Sequence, residues 1–218
     1  MTAQRLHPRT VFVDWHGTIC NSLFLDHWVA DPARAEAHRC LRQIWDGSGQ
    51  LFENWMRGLY NSEQITEMSA PRVGIPADEL LAELQYSCEH MGVDPALFEV
   101  VSELRAAGVA VILATDNMDT FSRWTVPALE LERHFDSILN SFHIGALKAD
   151  RDVSGRSPFF SPCLDSGCYS PPFLLIDDSQ QVLNAVNLGI EVITTQGPEQ
   201  TLGLLRHLAA GSAIPVPC

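Results

Sequence analysis

The stretch from Thr10 to Thr18, TVFVDWHGT, decides the fold: a short β-rich apolar run ends in the carboxylate of Asp14, and Gly17 follows three residues later. A run of this kind reads as a buried strand entering a tight loop. The pattern returns twice. Val109 to Thr115 (VAVILAT) leads into Asp116 and Asn117, and Phe173 to Ile176 (FLLI) leads into Asp177 and Asp178. Strands that are apolar on both faces belong in a parallel sheet covered by helices.

Helical stretches lie between these strands. Asp94-Pro95 pairs an N-cap with a first-turn proline, and Leu97, Val100, Val101 and Leu104 keep helical spacing until Gly108. Ser179–Leu188 and Glu199–Ala210 read as later helices around a strand at Ile190–Thr195, and a further strand is expected at Asp136–Asn140. The alternation defines an α/β fold class with a parallel sheet. From about residue 20 to residue 93 the texture changes to helical patterns such as Ala33–Trp45 and Ala77–Met91, with no convincing strand, so a helical insert follows the first strand. Asp150–Pro172, rich in Ser, Pro, Gly and Cys, is expected to be a loop with a short helix.

At 218 residues the chain can bury a sizeable core, and 46% hydrophobic with 19% charged residues is a globular composition. The formal charge of −13 gives no electrostatic footprint for nucleic acid or an anionic membrane. A small anionic substrate is still admissible, because it needs only local positive charge. The first residues do not resemble a secretory signal and no run of about twenty apolar residues occurs, so a cytoplasmic protein, monomer or homodimer, is expected. The six cysteines, at 20, 40, 88, 163, 168 and 218, are scattered and read as free thiols.

Ligands of a parallel α/β sheet gather beyond the carboxyl ends of its strands, where Asp14, Thr115 and Asp177-Asp178 fall. A carboxylate at three strand ends makes sense if two of them hold a divalent cation, and hard Mg²⁺ prefers oxygen ligands.

Four motifs in order, Asp14-Trp15-His16-Gly17-Thr18, Thr115-Asp116-Asn117, Lys148 and Asp177-Asp178-Ser179, resemble those of the haloacid-dehalogenase-like hydrolase superfamily along essentially the whole chain. The resemblance implies a Rossmann-like three-layer core made of residues 1–19 and 94–218, with residues 20–93 as an inserted helical cap, as in the helical-cap branch. It implies a Mg²⁺-dependent phosphatase acting on a small phosphorylated metabolite. Asp14 would attack phosphorus, and Mg²⁺ would be held by Asp14, the main-chain carbonyl of His16, Asp177 and Asp178. Thr115 would donate its hydroxyl to the phosphoryl oxygens and Lys148 would neutralise charge shared with the substrate. Trp15, Asp116 and Asn117 complete the implied substrate-binding set. Lys148 is the only lysine in the chain, which fits a dedicated place for it.

His16 departs from the phosphatase pattern, in which a second aspartate protonates the leaving oxygen. Imidazole, with a reference pKa of about 6.5, can do that work; the other reading is that His16 fills space or shapes specificity. Asp14-Trp15-x-Gly17-Thr18 is also similar to the phosphonoacetaldehyde hydrolase pattern, but that branch uses a cap lysine and none lies between residues 19 and 93. The 2-haloacid dehalogenases share Asp14-x-x-Gly17-Thr18 and work without metal, which keeps a metal-independent dehalogenase as an alternative. A slow or non-catalytic phosphate binder is another. In the insert, Trp28, Trp45 and Trp55 either face the site or form a small core, and His27, Asn54 and Arg57 are the polar residues placed to meet a substrate. Cys163 and Cys168 with His143 have poor spacing for zinc.

Overall fold

The computed structural model describes residues 4–47 and 50–216; of the six cysteines, Cys218 lies outside the described residues. In chain order the elements are β1 (Gln4–Leu6), β2 (Thr10–Val13), a 3₁₀ turn (Asp26–Trp28), α1 (Ala35–Gly47), α2 (Gln50–Met56), α3 (Ser62–Val73) and α4 (Ala77–Glu89). There follow α5 (Pro95–Ala106), β3 (Ala110–Thr115), a π-helical turn (Phe121–Thr125), α6 (Val126–Ala128), α7 (Leu131–His134), β4 (Ser137–Asn140), α8 (Ser141–Ile144) and α9 (Ser161–Leu164). The chain then forms β5 (Phe173–Asp177), a 3₁₀ helix (Gln180–Leu188), β6 (Ile190–Thr194), α10 (Pro198–Ala209) and β7 (Ile214–Val216).

The main sheet has five strands in the order β4-β3-β2-β5-β6, all parallel, while β1 and β7 pair antiparallel to each other. Strand β2 is central, with Thr10 level with Ala110 on one side and Phe173 on the other. Alternate side chains therefore feed two different cores. Val11, Val13, Val111, Leu113, Leu174 and Ile176 join one apolar cluster, and Phe12, Ile112, Ala114, Phe173 and Leu175 join the other. The α/β alternation read from the sequence is the fold observed.

Local chemistry explains the element boundaries. Asp94 caps α5 by accepting from the Ala96 N–H at 2.9 Å, and Pro95 occupies the first turn, where a missing N–H costs nothing. Residues 180–188 wind more tightly than the α-helix expected of them; Val182 and Ala185 are buried three apart, the period of a 3₁₀ helix. Between β2 and α5 the described residues form helices and turns without a strand, apart from an isolated bridge between His16 and Cys20.

That helical segment shares the first apolar cluster with the sheet. Trp28, Trp45 and Trp55, each at most 1% exposed, are in it together with Val13 and Leu113. Trp45 meets Trp55 edge-on at 6.0 Å between ring centroids, and Phe24 packs on both. The tryptophans thus form a core rather than facing a substrate. Polar links reinforce the packing. Asp119, after β3, accepts from Trp55 Nε1 at 2.7 Å, from the Ser62 N–H at 3.0 Å and from Ser62 Oγ at 2.8 Å, and pairs with Arg123 at 3.0 Å. At Gly58 (φ +75°) a Cβ would lie 2.6 Å from the Phe142 carbonyl oxygen, so the end of α2 rests directly on the backbone of α8. No described helix is long and apolar enough to cross a membrane.

Candidate active site

The site forms where β2, β3 and β5 end. Asp14 is the first residue past β2, and its N–H still donates to the Ile176 carbonyl of β5 at 3.0 Å. The turn behind it is tied to the Trp15 carbonyl, which accepts from the N–H groups of Ile19 at 2.9 Å and Cys20 at 3.0 Å. Gly17 adopts φ +72°, and a Cβ there would lie 2.1 Å from Asp178 Oδ2. Only glycine lets the acidic pair after β5 come this close to the loop after β2.

Lys148 lies in the loop following α8. Its main-chain N–H donates to Asp116 Oδ1 at 2.9 Å, which anchors this loop to the end of β3. The ammonium then reaches Asp14 Oδ1 at 2.7 Å and Asp177 Oδ2 at 2.5 Å, with all three groups buried. The other oxygen of Asp177 accepts from the Ser179 N–H at 2.8 Å, so each of its oxygens already has a partner. Lys148 meets Asp14 at Oδ1, and the Asp178 side chain is exposed.

Burial works against the charges of Lys148, Asp14, Asp116 and Asp178. It pulls Lys148 towards neutrality, but Asp14, Asp177 and Asp116 outweigh it and hold the ammonium above its ordinary pKa. Burial pushes Asp14 up and the Asp177 charge adds to this, with Lys148 opposing both. Asp116 is raised by burial, which Lys148 opposes and Asp177 reinforces. Asp178 is raised by burial and by Asp177, against the pull of Lys148 and His16. One ammonium shared among these carboxylates leaves negative charge without compensation.

A divalent cation would supply that compensation. Asp14, Asp177 and Asp178 each offer an oxygen, and these atoms lie within 4.8 Å of one another. The donors are hard oxygens, and the space that a Cβ at residue 17 would fill is given over to a carboxylate; the residues fit Mg²⁺.

The carboxylates open on a cavity of about 290 Å³. Asp14, Trp15, His16, Asp116, Asn117, Lys148, Asp177 and Asp178 all line it, so nearly every residue singled out in the sequence converges there. His16 is exposed at this lining, while Trp15 is 1% exposed and packs edge-on against Phe121 at 5.1 Å. Thr115, 1% exposed at the end of β3, is not among the lining residues; Asp116 and Asn117 take that place. Asn117 turns its Oδ1 to the Met118 N–H at 2.9 Å.

The polar residues picked out in the helical insert do not line the cavity. His27 pairs with Glu83 at 2.8 Å, Asn54 accepts from Gln50 at 2.7 Å, and Arg57 forms an ion pair with Asp150. In their place come Phe24, Phe52, Met56 and Met91, which the sequence presents as ordinary core residues. Cys163 and Cys168 are free, one buried and one exposed. Among the described residues the acidic trio at 14, 177 and 178 is the one metal-competent cluster.

No protein-family model matches the chain, and no curated protein does. By structure it is similar to a HAD family enzyme of Bacteroides thetaiotaomicron solved with magnesium, at 16% identity and TM-score 0.70, covering 92% of this chain and 100% of that one. A predicted HAD-like family hydrolase of Porphyromonas gingivalis gives 16% identity and TM-score 0.66, with 93% and 98% covered. The L-2-haloacid dehalogenase of Xanthobacter autotrophicus with covalently bound chloropropionic acid gives 19% and 0.60, with 95% and 84% covered. The chain has the haloacid-dehalogenase-like fold.

Proposed function

We propose that the protein is a Mg²⁺-dependent hydrolase of small phosphomonoesters. The observation that carries this reading is the buried Lys148 ammonium held between Asp14 and Asp177 beside the exposed Asp178. Bound Mg²⁺, held by Asp14 and Asp178 with Asp177 and the His16 carbonyl completing the set, would lower the repulsion between an anionic nucleophile and an anionic ester. The same Bacteroides enzyme has also been solved with magnesium and inorganic phosphate, which supports the reading by analogy of fold.

The chain's own residues perform the chemistry as follows. Asp14, whose Oδ1 meets Lys148, attacks phosphorus through its carboxylate; the P–O ester bond breaks, and the departing oxygen takes a proton from His16. Water, deprotonated by His16, then attacks phosphorus, releasing phosphate and restoring Asp14. Lys148 holds the Asp14 carboxylate in place and neutralises charge on the transferring group, and the Asp116 and Asn117 segment forms the floor for the phosphoryl oxygens, with Thr115 behind it. Residues 20–93 act as the cap over this cavity and keep bulk water from the acylphosphate.

The test is phosphate release from an aryl phosphate with Mg²⁺, with chelator, and in Asp14→Asn. Activity that disappears in the last two supports the reading. Turnover by Asp14→Asn would remove Asp14 as nucleophile, and halide release from a 2-haloacid in the presence of chelator would replace the phosphatase with a dehalogenase.

A further inference from the structure

The cavity at Asp14 has two chemically different sets of lining residues. The sheet ends and the loop after α8 contribute the carboxylates and Lys148; the helical segment contributes Leu23, Phe24, Phe52, Met56 and Met91, joined by Met118 from the loop after β3. Three of the five methionines in the chain converge on this one cavity. Only two polar side chains of the segment share that lining: Ser22, whose Oγ accepts from the Gly92 N–H at 3.0 Å, and Arg42, which has an interaction of its own within the protein. Arg57, His27 and Asn54, which could have read hydroxyl groups, are paired outside the lining.

We propose that the substrate is a phosphate monoester of a small apolar alcohol, alkyl or arylmethyl, rather than of a polyhydroxylated sugar. The proposal rests on the phosphatase reading of the same site and names its substrate class. Sugar hydroxyls set against Leu23, Phe24, Phe52, Met56 and Met91 would lose water without gaining partners, whereas an apolar group exchanges water for carbon and sulfur contacts. Methionine side chains bend to fit differing shapes, so the wall accepts a range of apolar groups. At about 290 Å³ the cavity has room for a phosphoryl group and a body the size of one ring.

The experiment compares primary-alcohol esters of similar intrinsic reactivity, benzyl and n-butyl phosphate against glycerol 1-phosphate and glucose 6-phosphate, with Mg²⁺. The expected result is a kcat/KM at least about tenfold higher for the apolar pair, a ratio that shrinks in Met56→Gln. A parallel calorimetric titration compares benzylphosphonate with methylphosphonate in the presence of Mg²⁺; benzylphosphonate should bind about tenfold tighter. Equal or reversed preference among the esters overturns this inference and leaves the phosphatase reading intact. If no ester is hydrolysed, the phosphatase reading fails, and the phosphonate titration still decides whether the wall selects apolar groups: equal affinities overturn it.

Discussion

The parallel sheet and the helical segment of residues 20–93 both line the same cavity, and they position their side chains by different means. Sheet groups are set by backbone register: Asp14, Asp116 and Asp177 end or directly follow strands whose partners are fixed residue by residue. The helical side is positioned by packing, through the Trp45–Trp55–Phe24 cluster and through side-chain links such as Asp119 to Trp55 and Ser62. The carboxylates of the site thus sit where strand pairing fixes the backbone. Apolar contact, which tolerates small shifts, is left to the layer held by interdigitated rings.

Three measurements press on this contrast. The largest effect on activity should come from Lys148→Met, which removes the cation brought together with Asp14 and Asp177. Phosphate release should fall on the order of 10²- to 10³-fold, because a preorganised charge at the reacting group is lost. A variant with the wild-type rate would mean that the ammonium shared by Asp14 and Asp177 does no catalytic work.

Next comes Asp119→Ala, at the junction of the two regions. It strands the Trp55 indole N–H and the Ser62 N–H in the interior and leaves Arg123 with Glu63. Breaking such a buried, charge-assisted network should cost about 3–5 kcal/mol, read from urea unfolding followed by tryptophan fluorescence. A loss well under about 1 kcal/mol would show that ring packing alone holds the helical segment on the sheet.

The smallest effect is confined to the helical side. Burial raises the pKa of Glu83, but hydrogen bonds from His27, Arg34 and Trp28 more than offset this and bring it down to about 2. The folded value lies below the reference of about 4.3 for an unpaired glutamate, so ionised Glu83 contributes stability above about pH 4.3. That contribution is lost as pH falls through about 2. Thermal melts between pH 2 and 5 should therefore show a steeper acid decline for the wild type than for Glu83→Gln; identical slopes would discount the pairing.

How much of this was legible in the sequence follows the same division. The strands announced themselves because each apolar run closes on a carboxylate or hydroxyl, and Lys148 stood out as the sole lysine. Those features are local. The fate of Arg57 depends on Asp150, 93 positions away, and that of His27 on Glu83, 56 positions away, so no pattern near either residue shows that it is occupied. Phe24, Phe52 and Met56 look the same in sequence whether they fill a core or line a cavity. Thr115 shows a finer limit: the strand end was found, but which of three consecutive residues meets the cavity depends on the twist of the turn.

The solitary lysine has a practical side as well. The only side-chain amine of the protein lies 3% exposed between two carboxylates. Coupling chemistry aimed at lysine, for dyes, beads or biotin, finds no such handle on the outer surface of the folded molecule. An electrophile that did react at that nitrogen would have entered the cavity that Lys148 lines with Asp14 and Asp178.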